Sequence, residues 1–233
     1  MLPKDNKNRS TSPVCYLDEV DSSYSGIEPL SASEAVMSWR KKERRRLIDQ
    51  RMATSFTTRS SRTDAIEQNL KRLLGDVRDK VISLYWPFRG EPDLRQSRTW
   101  IEKLGGRCSL PVVVMPSAPL VFRSWTSDTT LRKSAWGLVE PEASEKLNPD
   151  LILAPFVGMD QDGYRLGYGG GYFDRTLVEL KKPAVVVGIG FEEQIIPTIY
   201  PQPHDVPMDW VLTETGVSKS PTQRFSGNLE EPG

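Results

Sequence analysis

Two apolar runs constrain this chain more than any other feature. Leu151-Ile152-Leu153-Ala154-Pro155 and Ala184-Val185-Val186-Val187-Gly188-Ile189 show no polar alternation. Neither strand has a face that tolerates water, which is the condition of a parallel sheet covered on both sides. Between them stand a glycine-rich turn and a helical stretch over 172–181. Strand, turn, helix, strand is a βαβ unit. Further strands are expected over 81–86, 108–114, 120–125 and 209–213, and helices over 31–53, 63–74 and 93–104. The first helix opens at Ser31 with Glu34 three residues on, the spacing of a capping box. These elements make the fold class α/β, a mainly parallel sheet with helices on both sides.

The composition sets the limits of that domain. Of 233 residues, 37% are apolar, and the polar excess is concentrated before residue 31 and after 217. Residues 1–30 and 218–233 are therefore expected to be tails, leaving a folded core over 31–217. Lys plus Arg equals Asp plus Glu, at 31 each, which argues against a polyanion-coating protein and leaves nucleic acid out of the expected partners. No run suits a transmembrane helix and no early segment suits a secretory leader, so no membrane partner and a cytoplasmic location are expected. Cys15 and Cys108 make neither a disulfide framework nor a metal cluster.

The strongest chemical signal is Arg165-Leu166-Gly167-Tyr168-Gly169-Gly170-Gly171-Tyr172-Phe173-Asp174. Four glycines just ahead of a helix let the backbone turn its N–H groups toward an anion, above all a phosphate. It is neither a Walker loop nor a dinucleotide fingerprint, and a tight ligand-free turn would look the same. Asp174, in the first turn of that helix, suits either the helix dipole or a Mg²⁺ ion beside phosphates. Asp205 is its possible partner from another loop. His204 is the only histidine, so there is no multi-histidine metal scheme, and a lone loop histidine is more often a surface residue. Seven Arg or Lys fall between Arg40 and Arg51. Most such runs are solvated faces, but Arg40 and Arg44 lie one turn apart and could grip a triphosphate together. Trp86 and Glu91 come after the first strand's carboxyl end, where α/β sheets bind ligands; a flat heterocycle could stack and hydrogen-bond there.

These segments, in this order, resemble the 5-formyltetrahydrofolate cyclo-ligases, also called methenyltetrahydrofolate synthetases. The resemblance runs from the basic first helix through Tyr85-Trp86-Pro87-Phe88-Arg89-Gly90-Glu91, Leu110-Pro111-Val112-Val113, Gly137-Leu138-Val139-Glu140-Pro141 and Leu153–Asp160 into the glycine motif, and ends in 203–214. It implies a three-layer α/β/α domain with an open sheet. It implies ATP-dependent closure of 5-formyltetrahydrofolate to 5,10-methenyltetrahydrofolate, with ADP and phosphate as products and a phosphorylated formyl intermediate. Positioning and charge neutralisation suffice for such a reaction, and no catalytic residue is assigned beyond the binding groups. By the same resemblance Arg40, Arg44 and Arg165 through Phe173 contact ATP; Trp86, Glu91 and Tyr168 through Tyr172 border the folate; Asp174 and Asp205 hold Mg²⁺. Arg40 stands where many members have lysine, and Gly170 where some do. A monomer is expected. The rival readings are an ATP- or folate-binding regulatory protein on the same fold and a nucleic-acid module built on 40–51.

Overall fold

A computed structural model of the chain describes residues 31–134 and 137–222. Two compact units are distinguished, Met1–Ala35 and Val36–Gly233. Of the first, the described part is the capping box: the Glu34 carboxylate accepts from the Ser31 N–H at 2.9 Å, and the Ser31 hydroxyl accepts from the Glu34 N–H at 3.3 Å. The expected tail over 1–30 lies outside the described residues, as do 223–233.

The elements run α1 (Ala32–Ala53), α2 (Phe56–Leu74), β1 (Val81–Ser83), α3 (Ser97–Lys103), β2 (Arg107–Val112), β3 (Val121–Ser124), β4 (Leu131–Lys133), β5 (Val139–Pro141), β6 (Leu151–Pro155), β7 (Gly158–Met159), β8 (Arg165–Leu166), α4 (Tyr172–Glu179), β9 (Val185–Ile189), β10 (Trp210–Thr213) and β11 (Gly216–Lys219). The main sheet has the order β11-β10-β9-β6-β1-β2-β3. Its five inner strands are parallel, and antiparallel β3 and β11 close the two edges.

Side-chain direction explains why the apolar runs do not alternate. Leu151, Leu153, Val187, Ile189, Trp210 and Leu212 point into one core, which Ile66, Leu70 and Leu73 of α2 and Ile101 of α3 complete. The residues between them, Ile152, Ala154, Val186 and Val211, point to the other face, where Leu177 of α4 packs. Both faces are dry, as the sequence requires, and the α/β layering expected from it is present.

Several boundaries differ from the sequence reading. α2 begins at Phe56 rather than 63, because the Ser55 hydroxyl caps the Thr58 N–H at 3.1 Å. α3 starts later than 93, because the Asp93 carboxylate holds the Arg95 N–H at 3.2 Å and turns the chain there. β1 stops at Ser83; the Tyr85 hydroxyl donates to the Pro92 carbonyl at 2.8 Å and folds the segment between them into a loop. At the other end, β11 pairs with β10 as far as Lys219, so the folded part passes 217, where the core was expected to end. The run Val217-Ser218-Lys219-Ser220 reads as polar, yet Ser220 is buried.

The chain leaves β1 toward β2 and β3 on one side and leaves β6 toward β9, β10 and β11 on the other. The topological switch point therefore lies between β1 and β6, the place where open α/β sheets bind ligands. Among the described residues, no helix is long and apolar enough to cross a membrane.

Leu153 sits at the middle of this sheet and is fully buried. Leu153→Ala is expected to destabilise the protein by about 2–5 kcal/mol, measured by urea denaturation with an unchanged slope.

Candidate active site

A cavity of about 570 Å³ opens at the switch point. Its floor comes from the carboxyl ends of β1 and β6, with Tyr85, Trp86 and Pro155. Arg40 and Arg44 of α1 form one wall, and the glycine-rich segment from Gly167 to Asp174 forms another. Glu91 and Asp205 reach in from loops. The structure thus brings together Arg40, Arg44, Trp86, Glu91, Arg165, Gly167, Tyr168, Gly169, Gly170, Gly171, Tyr172, Phe173, Asp174 and Asp205, every expected site residue but one. The exception is Leu166, expected in the nucleotide loop. Its side chain is fully buried in a core with Leu47, Val157, Ile196 and Ile199, facing away from the cavity.

Local geometry explains the glycines. Gly171 caps α4 in the left-handed region, at φ 63°, where a side chain is strained. At Gly167 a Cβ would fall 2.4 Å from the Arg165 guanidinium, so a side chain there would displace the tip of that arginine. The N-terminus of α4 has no side-chain cap hydrogen bond, and Asp174 stands in its first turn, at the cavity wall.

The charges are paired in a definite way. Arg40 grips Asp205 with both terminal nitrogens, at 2.7 and 3.0 Å, and the Gln202 N–H donates to the same carboxylate at 2.7 Å. Burial pushes the Asp205 carboxyl up, but these bonds outweigh it and hold it below the ordinary range. Arg165 lies over the Phe173 ring at 4.9 Å and makes only long bonds, 3.3 Å to the Pro155 carbonyl and 3.4 Å to Asp174. Asp174 also accepts from the Val206 N–H at 3.3 Å. Arg44 donates from Nε to the Gly167 carbonyl at 2.8 Å. Its two terminal nitrogens have no partner among the described residues. Burial, then the neighbouring Arg40 and Arg165, weaken its hold on its proton, against the pull of Asp205.

The opposite end of the cavity is aromatic and apolar. Trp86 is backed by Arg95 at 4.7 Å and by Trp125 at 6.1 Å. Glu91 accepts from the Phe88 N–H and from the Tyr168 hydroxyl, each at 2.9 Å. Burial pushes its carboxyl up to about 7 in spite of Arg51 and those bonds. Pro111, Val113, Leu120, Leu138 and Val139 finish the wall; sequence reasoning missed them, because nothing marks an apolar residue as facing a cavity rather than a core. It missed Arg51 too. That residue is fully buried behind Tyr168. Its signal is the spacing 40, 44, 47, 51, a single helix face on which three of four positions are arginine.

With this geometry in view, the comparisons with known proteins are specific. Residues 36–214 match the 5-formyltetrahydrofolate cyclo-ligase family. The chain belongs to that family. A Mycolicibacterium smegmatis 5-formyltetrahydrofolate cyclo-ligase is 30% identical over 72% of this chain and 89% of its own length. The mouse enzyme of that name is 31% identical over 58% of this chain and 73% of its own. The solved structure of Aquifex aeolicus 5,10-methenyltetrahydrofolate synthetase superposes with a TM-score of 0.68 at 29% identity, covering 82% of this chain and 96% of that one. The cyclo-ligase family is one of folate enzymes, and this chain is a member on sequence and fold alike.

Glu91 makes a prediction for the protein without added ligand. Its carboxyl takes up protons more readily folded than unfolded, from 4.5 up to about 7. Folded protein therefore binds the extra proton in that window, and stability falls as pH rises through it, levelling off above about 7. Glu91→Gln is expected to abolish this component, of about 3 kcal/mol, when denaturation at pH 4.5 is compared with pH 7.5.

Proposed function

We propose that this chain catalyses the ATP- and Mg²⁺-dependent cyclisation of 5-formyltetrahydrofolate to 5,10-methenyltetrahydrofolate. The observation that carries the reading is the placement of Arg44. Its two unpartnered terminal nitrogens share the cavity wall with the glycine-rich turn and the uncapped N-terminus of α4. Fixed donors converging in a partly closed cleft bind a polyphosphate well, since the guanidinium fork donates in pairs to phosphate oxygens.

The chemistry divides between the two ends of the cavity. The formyl oxygen of the folate attacks the γ-phosphorus of ATP, the bond to ADP breaks, and an imidate phosphate forms. N10 then attacks the formyl carbon, losing its proton, and the C–O bond breaks to release phosphate. At the polar end, Arg44 and Arg165 neutralise charge on the phosphates while Gly167 to Gly171 supply backbone N–H groups. At the aromatic end, Trp86 offers a face for the pterin and Glu91 an acceptor for its edge. The apolar wall between them excludes water, which would otherwise hydrolyse the activated formyl group.

The donor set also fits a magnesium ion. Both bonds to Asp174 are long, at 3.3 and 3.4 Å, so its oxygens keep coordinating capacity. Asp205 already accepts three hydrogen bonds. Asp174 is thus the principal protein ligand, and Asp205 chiefly anchors Arg40 beside it. Mg²⁺ bound there with phosphate oxygens would supply neutralisation of the charge on the transferring group.

The test is an absorbance assay for the methenyl product from 5-formyltetrahydrofolate, with and without ATP. Product should appear only with ATP and Mg²⁺; no ATP-dependent product from folded protein would overturn the reading. Asp174→Asn should retain its melting temperature and lose turnover by a factor on the order of 10² or more, as removal of an electrostatic stabiliser does. Arg44→Ala should raise KM for ATP well above any change in KM for the folate.

A further inference from the structure

Arg51 has no part in the reaction as described, yet it is a fully buried cation. Its three donor groups reach three separate segments. Nε donates to the Arg89 carbonyl at 3.0 Å, one terminal nitrogen to the Phe156 carbonyl at 3.0 Å, and the other to the Tyr168 hydroxyl at 2.7 Å. None of these acceptors is a carboxylate, although buried charges are ordinarily paired with one. Glu91 is reached through Tyr168. Because the Tyr168 oxygen accepts from Arg51, its own proton goes elsewhere: to Glu91 at 2.9 Å or, over a longer path, to the Phe88 carbonyl at 3.2 Å.

We infer that Arg51 is a positioning residue for the folate end of the cavity, acting through Tyr168 to fix the hydroxyl on Glu91 and so to hold that carboxylate in one orientation toward the substrate. The inference rests on the cyclo-ligase reading above. Position supports it on both sides. The Arg89 carbonyl belongs to the turn that carries Glu91, in which Arg89 at φ 46° and Gly90 at φ 76° both take the left-handed region. The Glu91 N–H closes that turn on the Phe88 carbonyl at 3.2 Å, and Arg51 adds a hold on it from outside. The Phe88 N–H meanwhile takes the other oxygen of Glu91. Turn, tyrosine and carboxylate are thus all tied to one guanidinium.

Around Glu91 the charged and titratable groups are Arg51 from α1, Arg165 from β8, Tyr168 from the glycine-rich segment, and Tyr85 from the end of β1, with Asp93 beyond it. Arg51 and Arg165 both favour the ionised carboxyl, and burial opposes it. Removing the Arg51 charge therefore moves the protonation of Glu91 to higher pH.

The experiment measures KM for 5-formyltetrahydrofolate and for ATP across pH 5.5–9 in wild type, Arg51→Gln, Arg51→Lys, Tyr168→Phe and the Arg51→Gln/Tyr168→Phe double variant. In wild type the folate KM should fall as pH rises through about 7. Arg51→Gln should raise it about tenfold at pH 7, the loss of one charge-assisted contact, shift the inflection upward and leave KM for ATP within about threefold. Arg51→Lys, retaining the charge, should restore the inflection. Tyr168→Phe keeps the ring against Phe88, 5.4 Å away, and should reproduce the folate loss. The double variant should be no worse than the worse single one. Independent, multiplying effects overturn the inference, as does an Arg51→Gln loss that falls equally on both substrates with an unmoved inflection. If Arg51→Gln does not fold, Tyr168→Phe and Arg51→Lys carry the comparison: an unshifted Tyr168→Phe profile refutes it. A wild-type chain without ATP-dependent product removes the cyclo-ligase reading and the inference with it; an active wild type with independent effects removes the inference alone.

Discussion

A parallel strand buried on both faces is the constraint on which the rest of this molecule depends. Its neighbours cannot be reached by a hairpin, so each connection must cross a face and return. In this chain the crossing from β1 to β2 carries α3 and the crossing from β6 to β9 carries α4, while α2 leads into β1, and the reversal of direction between β1 and β6 leaves a gap at the carboxyl ends of those strands. The loops that leave those two strands meet above it. The cavity is therefore a product of sheet topology before it is a product of chemistry, and the side chains around it were free to specialise.

That specialisation rests on α1, whose inward stripe is Arg40, Arg44, Leu47 and Arg51. Ordinarily such a stripe is apolar and its work is packing. Here Leu47 alone packs, in a core with Val157 and Leu166, while each arginine performs a separate electrostatic task. Arg40 is satisfied by Asp205, Arg51 by carbonyls and a hydroxyl, and Arg44 is left with spare donors. One helix thus fixes the relative positions of the two ends of the cavity.

Much of this was legible in the sequence. The unbroken runs at 151–155 and 184–189 declared the parallel sheet, because side-chain chemistry on a two-sided strand admits no alternative. The glycine motif marked a wall of the cavity, because four glycines just ahead of a helix suit a backbone that comes close to a ligand. Where reading failed, the cause was non-local. Leu166 sits inside the motif but faces the core, since strand alternation turns every second residue away. β11 looks polar, yet an edge strand needs only one covered side. Arg51 looked like one more residue in a basic run, and only the convergence of three chain segments distinguishes it from its solvated neighbours.

The burial of Cys108 has a practical consequence. Its thiol lies within the core under α3, and burial pushes its pKa up to about 12, so thiolate-directed reagents find almost no nucleophile there. The sequence holds one other cysteine, Cys15. A reagent that labels this protein promptly therefore does so at a thiol other than Cys108.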